Sequence, residues 1–99
     1  MAEEIRADYE QLETIASQFA KQAQAIQQML QKVQKSMDEL ENDGWIGRGS
    51  DAFFAEMQGE VLPASNRLHD ALEEASRVTK EIIQTVQQAE DEACSPFKV

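Results

Sequence analysis

An all-α fold, an antiparallel hairpin of two long helices, is predicted by three features of the sequence. Apolar residues recur at steps of three and four through both halves. Three of the four glycines and the only tryptophan fall in one central run, Asn42-Asp43-Gly44-Trp45-Ile46-Gly47-Arg48-Gly49-Ser50. The rest of the 99 residues are written largely in Ala, Gln, Glu, Lys and Leu. Strong helix formers on both sides of a single glycine-rich break describe one chain reversal with a bulky aromatic at its closed end.

The first helix follows from Ile5, Tyr9, Leu12, Ala16, Phe19, Ala23, Ile26, Leu30, Val33, Met37 and Leu40, which alternate steps of four and three without a slip. A strand cannot generate that period. An apolar seam of this kind, with Gln and charge between, predicts a coiled-coil type of helix over about residues 3–41, about 57 Å long at 1.5 Å per residue. Glu3 and Glu4 suit its positive end. Asn42, Asp43 and Gly44 open the turn, placed at 42–49, because glycine tolerates the left-handed conformation that closes a helix.

The second helix is expected to start near Ser50, whose hydroxyl would accept an orphan backbone N–H, with Asp51 favoured in the first turn. It runs over about 50–92, and residues 93–99 are read as a flexible tail. Its seam is broader: Phe53, Phe54, Met57, Val61 and Leu62 lead into Leu68, Leu72, Ala75, Val78, Ile82 and Val86. Pro63 has no N–H for the carbonyl of Gly59 and its ring crowds that turn, so a kink near 59–63 is expected rather than a helix end.

Folding about residues 45–47 brings residue i close to residue 92 − i. Unlike charges then meet: Lys21 near Asp70 and Glu73, Lys32 near Glu60, Lys35 near Glu56, and Glu10 and Glu13 near Lys80 and Arg77. Exposed pairs contribute about 0.2–1 kcal/mol each, so this pattern speaks for register more than for stability. The expected core, of the hairpin or of a dimer, comprises Leu12, Phe19, Ile26, Leu30 and Val33 from the first helix and Leu68, Leu72 and Ile82 from the second.

A two-helix hairpin has one internal seam, yet Ile15 and Met29 flank the first stripe and Phe53, Phe54, Met57, Leu62 and Ile83 widen the second. Burying a large apolar side chain is worth about 1.5–3 kcal/mol, and a second layer is needed to supply the cover. Another copy of the hairpin, giving a four-helix bundle, is the simplest such layer, with Ala16, Ala20 and Ala23 opposite Ala71 and Ala75 at a narrow waist. A related hairpin would fit the same surface, so homodimer and heterodimer both stay open.

About one hundred residues make a single domain, 1–99. No stretch approaches a membrane span, and the amino terminus lacks the basic flank and apolar run of a secretory signal, which predicts synthesis in the cytoplasm without a cleaved leader. The net charge of −10 disfavours nucleic acid and anionic membrane. Cys94 stands alone, which excludes an internal disulfide or a multi-cysteine zinc site, and is read as a passive thiol. His69 is read as a helix-surface residue beside the Leu68 and Leu72 seam. Glu73-Glu74 and Glu90-Asp91-Glu92 are adjacent helical positions pointing about 100° apart, which cannot converge on one reacting atom. No catalytic constellation, metal site or cofactor is expected.

Trp45-Ile46-Gly47 at the centre of a hairpin of this length, followed by Gly49 and Phe53, resembles the WXG-hundred family, also called the early secreted antigenic target family. The resemblance covers the whole chain. It implies a small, non-enzymatic helical-hairpin dimer exported by a bacterial type VII secretion system and recognised by an FtsK/SpoIIIE-like membrane ATPase, with a co-secreted toxin among the partners the family admits. Trp45 would wedge over the ends of both helices while Gly47 permits the tight reversal beneath it. The family also implies a part for this turn in export recognition.

The family further implies a C-terminal signal. One branch carries Tyr-x-x-x-Asp/Glu after the second helix, and no tyrosine occurs here beyond Tyr9. A second pattern is matched by Val86, Glu90, Ala93 and Phe97, whose spacing places them on one helical face, although Pro96 discourages helix at Ser95. Fraying of the tail is the plain alternative. Two function classes follow: a secreted substrate or co-secreted adaptor, or an intracellular helical interaction module.

Overall fold

The computed structural model describes the backbone of residues 2–94 and the side chains of residues 8–93. Helix α1 spans Ala2–Asn42, α2 spans Arg48–Glu56 and α3 spans Leu62–Cys94. A π-helical turn, Met57–Val61, joins α2 to α3 without a break. The fold is therefore an all-α hairpin. Its extents are 77 × 19 × 17 Å and its radius of gyration is 22.1 Å. A compact domain of this length would have a radius near 13 Å. The core is accordingly a strip between two rods.

That strip follows the heptads. On α1, Ala16, Ala23 and Met37 are buried, and Tyr9, Leu12, Phe19, Ile26, Leu30 and Val33 are partly buried. Facing them from α3, Ser76 and Ile83 are buried and Leu62, Ser65, His69, Leu72 and Thr79 are partly so. Ser76 donates its hydroxyl to the carbonyl oxygen of Ala16 at 2.8 Å. Residue 76 is the position that folding about 45–47 sets opposite residue 16, so this bond carries the expected register.

The small side chains at Ala16, Ala23 and Ser76 let α1 and α3 approach closely. At the closed end the inward-facing residues, Met37, Phe54 and Met57, are larger, and α2 stands farther from α1. Ala20 and Ala71, expected at the waist of a four-helix bundle, are exposed in the single hairpin.

The π turn accounts for the irregular second seam. Inward-facing positions run Ser50, Phe54, Met57, Leu62, Ser65, His69, Leu72, Ser76, Thr79, Ile83, with one step of five between Met57 and Leu62. In a pure α-helix that step would rotate the two halves of the stripe apart. Here the Leu62 N–H reaches back five residues to the Met57 carbonyl, and both stay on the seam. Pro63 follows at once, where its missing N–H and bulky ring disfavour a plain α turn.

Three expectations are corrected and a fourth is narrowed. No ion pair crosses the seam among the described residues: Arg77 pairs with Glu74 and Glu81 on its own helix, where spacings of three and four residues cost less ordering than reaching across. The second helix begins at Arg48, so Ser50 lies inside it and donates to the Trp45 carbonyl instead of capping. His69 is an inward-facing side chain, only 15% exposed, with Nδ1 3.0 Å from Asp70 and Nε2 2.9 Å from Glu73. Leu68 and Ile82, at 52% and 50% exposure, face away from the hairpin seam, where Ser76 and Ile83 lie, so of the two cores expected for them only that of the hairpin is excluded.

Candidate functional site

The closed end is built by two glycines and a serine. Helix α1 ends as the Gly44 N–H bonds the Glu41 carbonyl at 3.1 Å and the Trp45 N–H bonds the Leu40 carbonyl at 3.2 Å, with Gly44 at φ 81°. This pair of bonds is the Schellman closure, and it requires a residue at ease with positive φ. It delivers Trp45 to the end of the helix. Gly47 then takes φ 125° and ψ −175°, a region essentially reserved for glycine. Its carbonyl receives the first bond of α2, from the Asp51 N–H at 3.0 Å.

Just past these glycines the Ser50 hydroxyl donates to the Trp45 carbonyl at 2.8 Å, and Ser50 is itself buried. That bond clips the start of α2 to the residue carrying the indole. The indole rests on two phenylalanines: its centroid lies 5.5 Å from Phe53 and 5.7 Å from Phe54, and the two phenyl rings are 5.4 Å apart. The tilted and edge-on geometries are those aromatic quadrupoles favour. Phe54, which the sequence placed in the apolar seam and not in the turn motif, is the more buried of the two.

Gly49 has a different standing from Gly47. A methyl group there would meet nothing within 4 Å, and its backbone is ordinary helix. Trp45 remains 41% exposed and Ile46 is 85% exposed, so the tip presents apolar surface.

The flanks of the hairpin are unlike one another. One groove between the helices is lined by Ile15, Gln18, Phe19, Gln22 and Leu72. The groove on the other side is lined by Ser17, Ala20, Lys21, Gln24, Glu73 and Ser76. Lys21 and Glu73 thus share a groove without touching. The apolar flank is the one onto which the row Leu68, Ala75 and Ile82 continues, each seven residues from the next, with Leu68 and Ile82 exposed and Ala75 partly buried.

At the open end, Val86 and Ala93 are exposed and Glu90 is partly buried, while Phe97 lies outside the described residues. The hydroxyl of Tyr9 is enclosed and makes no hydrogen bond of ordinary geometry. Burial, followed by the neighbouring carboxylates of Glu90 and Asp91, pushes the phenol up to about 12. On the exposed face of α3, hydrogen bonding to Arg77 holds the Glu74 carboxyl below its ordinary value.

Among the described residues no group of His, Cys, Asp and Glu is arranged to hold a metal ion, and no helix is long and apolar enough to cross a membrane. What the geometry offers is surface: an aromatic tip, an apolar flank and an open end.

The fold and turn define a class, that of helical hairpins closed by a Trp-x-Gly turn. The chain belongs to the family WXG100, described as proteins of 100 residues with WXG, whose sequence model matches residues 4–91. No curated protein and no solved structure matches it.

Proposed function

We propose that this chain is a non-enzymatic substrate or co-secreted adaptor of a bacterial type VII secretion system, acting as one half of a four-helix bundle. The family match over residues 4–91, spanning the Trp45-Ile46-Gly47 turn and both arms, is the observation that carries this reading. The partner hairpin is a second copy of the chain or a related one. An FtsK/SpoIIIE-like ATPase is the proposed receptor, with a co-secreted toxin as a further partner, and the protein leaves the cell through that system.

The surface supports pairing. The chain exposes 7732 Å², against about 5,700 Å² for a compact protein of its mass. The difference, roughly 2,000 Å², exceeds the roughly 800 Å² per partner of a standard interface and is of the size one protomer buries in a large obligate dimer. It includes Ile15, Met29, Leu68, Ile82 and Val86, none of which the single hairpin covers.

Light scattering combined with a secretion assay tests the reading. Expected are a particle of twice the 11.1 kDa chain mass and appearance of the intact protein in the medium only when the ATPase is present. In the same assay Trp45→Ala separates two roles for the turn: normal melting with lost export makes the indole a recognition element, whereas lowered melting makes it a clamp first. Retention of the parent chain in cells with a working secretion system would favour the intracellular module instead.

A further inference from the structure

We propose that Tyr9 and Glu90 form a latch holding the last turns of α3 against α1, so that a receptor must lift this segment off α1 before it reads the acidic residue. The inference rests on the export reading above together with the C-terminal pattern that the family resemblance implies, in which Glu90 is the acid.

The placement comes from the seam itself. Tyr9 heads the α1 row Tyr9, Ala16, Ala23, Leu30, Met37, and Glu90 closes the α3 row Leu62, His69, Ser76, Ile83, Glu90; both rows step by seven and face inward. The Ser76 to Ala16 bond sets their register. Side chains on a helix lean toward its N-terminus, so the long phenol of Tyr9 projects beyond its own Cα level toward the open end, where Glu90 lies. Burial agrees with that projection. From Gln84 to Ala93 every residue is exposed except Glu90, and the Tyr9 hydroxyl opposite is sealed from solvent.

The segment therefore presents its signal face unevenly. Val86 and Ala93 lie open, whereas the one chemically distinctive group, the carboxylate, is turned into the seam. The contact is also built to open. A partly buried carboxylate gives up hydration, and the Tyr9 hydroxyl does not reach it with the geometry that would compensate fully. An apolar residue at position 90 would instead extend the row of Ile83. The layer thus combines definite placement with weak closure, as expected of an element that must release.

The test uses the full chain with two opposite variants, Tyr9→Ala and Glu90→Leu, helicity being checked by circular dichroism. Cleavage after Glu90 by a glutamate-specific endoprotease and amide exchange over residues 84–93 are the readouts. Tyr9→Ala should raise both by about tenfold or more while exchange over residues 12–40 stays as in the parent, and Glu90→Leu should slow exchange over 84–93 by a similar factor. If Tyr9→Ala is cleaved and exchanged like the parent, there is no latch. Secretion separates the two ideas. Export of Tyr9→Ala at or above the parent level supports release before recognition, and loosened exchange with reduced export overturns it. Loosened exchange with neither protein exported leaves the latch standing and removes the export reading on which its purpose depends.

Discussion

Gly47 and Gly49 sit two residues apart in the turn, and the structure gives them opposite consequences. Neither would bring a methyl group within 4 Å of anything, so crowding distinguishes neither position. Only Gly47, at φ 125°, holds a conformation that side chains resist. Gly47→Ala should therefore cost about 1–3 kcal/mol through backbone strain. Gly49→Ala, in ordinary helix, should stabilise by about 0.5–1 kcal/mol. Thermal melts of the two variants check the contrast, and equal shifts of the same sign would remove the backbone account of the motif. Gly47→Val should act in the Gly47→Ala direction and more strongly. Tyr9 supplies a second residue-level expectation. It is the only tyrosine, and its phenol is raised from 10.0 to about 12 by burial and then by the Glu90 and Asp91 carboxylates. A raised folded-state value means the folded chain holds the proton more tightly than the unfolded one. Its contribution to stability is complete below about pH 10 and is lost as pH rises to about 12. Phenolate absorbance should titrate late in the folded protein, and Tyr9→Phe should flatten the alkaline loss of melting temperature.

The π turn is the element whose role is clearest once the inward-facing positions are known. Its extra residue lets Met57 and Leu62 share one seam across a step of five, and Pro63 disfavours the α alternative at the same place. Deleting Gly59 together with Pro63→Ala should restore the regular three-and-four alternation. The melting temperature is then expected to hold or rise by several degrees. Deleting a single residue within α3, at Glu73, should lower it sharply, because every inward position of one half would rotate by about 100°. The cross-helix bond from Ser76 is a second element-level contact. Ser76→Ala should cost about 0.5–1.5 kcal/mol, the usual net worth of a buried hydrogen bond, as read by denaturant unfolding. Placing a leucine at Ala16, which has no exposed surface, should cost more by forcing α1 and α3 apart.

At the scale of the whole molecule, a rod 77 Å long and 17–19 Å across leaves most of its large apolar residues at least partly in solvent. Stability of such a chain should depend on its concentration if pairing completes the core. Melting temperature is expected to rise with protein concentration through the micromolar range, and charged substitution at Leu68 or Ile82 should abolish that rise while leaving the hairpin helical. A concentration-independent melt would leave the apolar flank without its proposed cover.

The period of the apolar residues, the midpoint glycines and the central Trp45-Ile46-Gly47 by themselves determined the helices, the reversal between them and the family. Each is a local property, set by helical repeat, backbone freedom and composition, and none needs a partner element to be legible. The same locality explains the visibility of the tip: Gly44 and Gly47 announce positive φ wherever they occur in such a turn. Which members of a broad stripe face inward was decided only by the tertiary structure. Leu68 and Ile83 are equally apolar on paper, yet Ile83 is buried and Leu68 is not, because the Ala16 and Ser76 contact and the step of five at the π turn fix the rotation of α3 about its axis. Ion pairing was likewise undecidable from spacing, since Arg77 had carboxylates within reach on both helices and took those of its own. Helical phase and the choice among competing partners are properties of two packed elements together, and a linear period carries only one of them at a time.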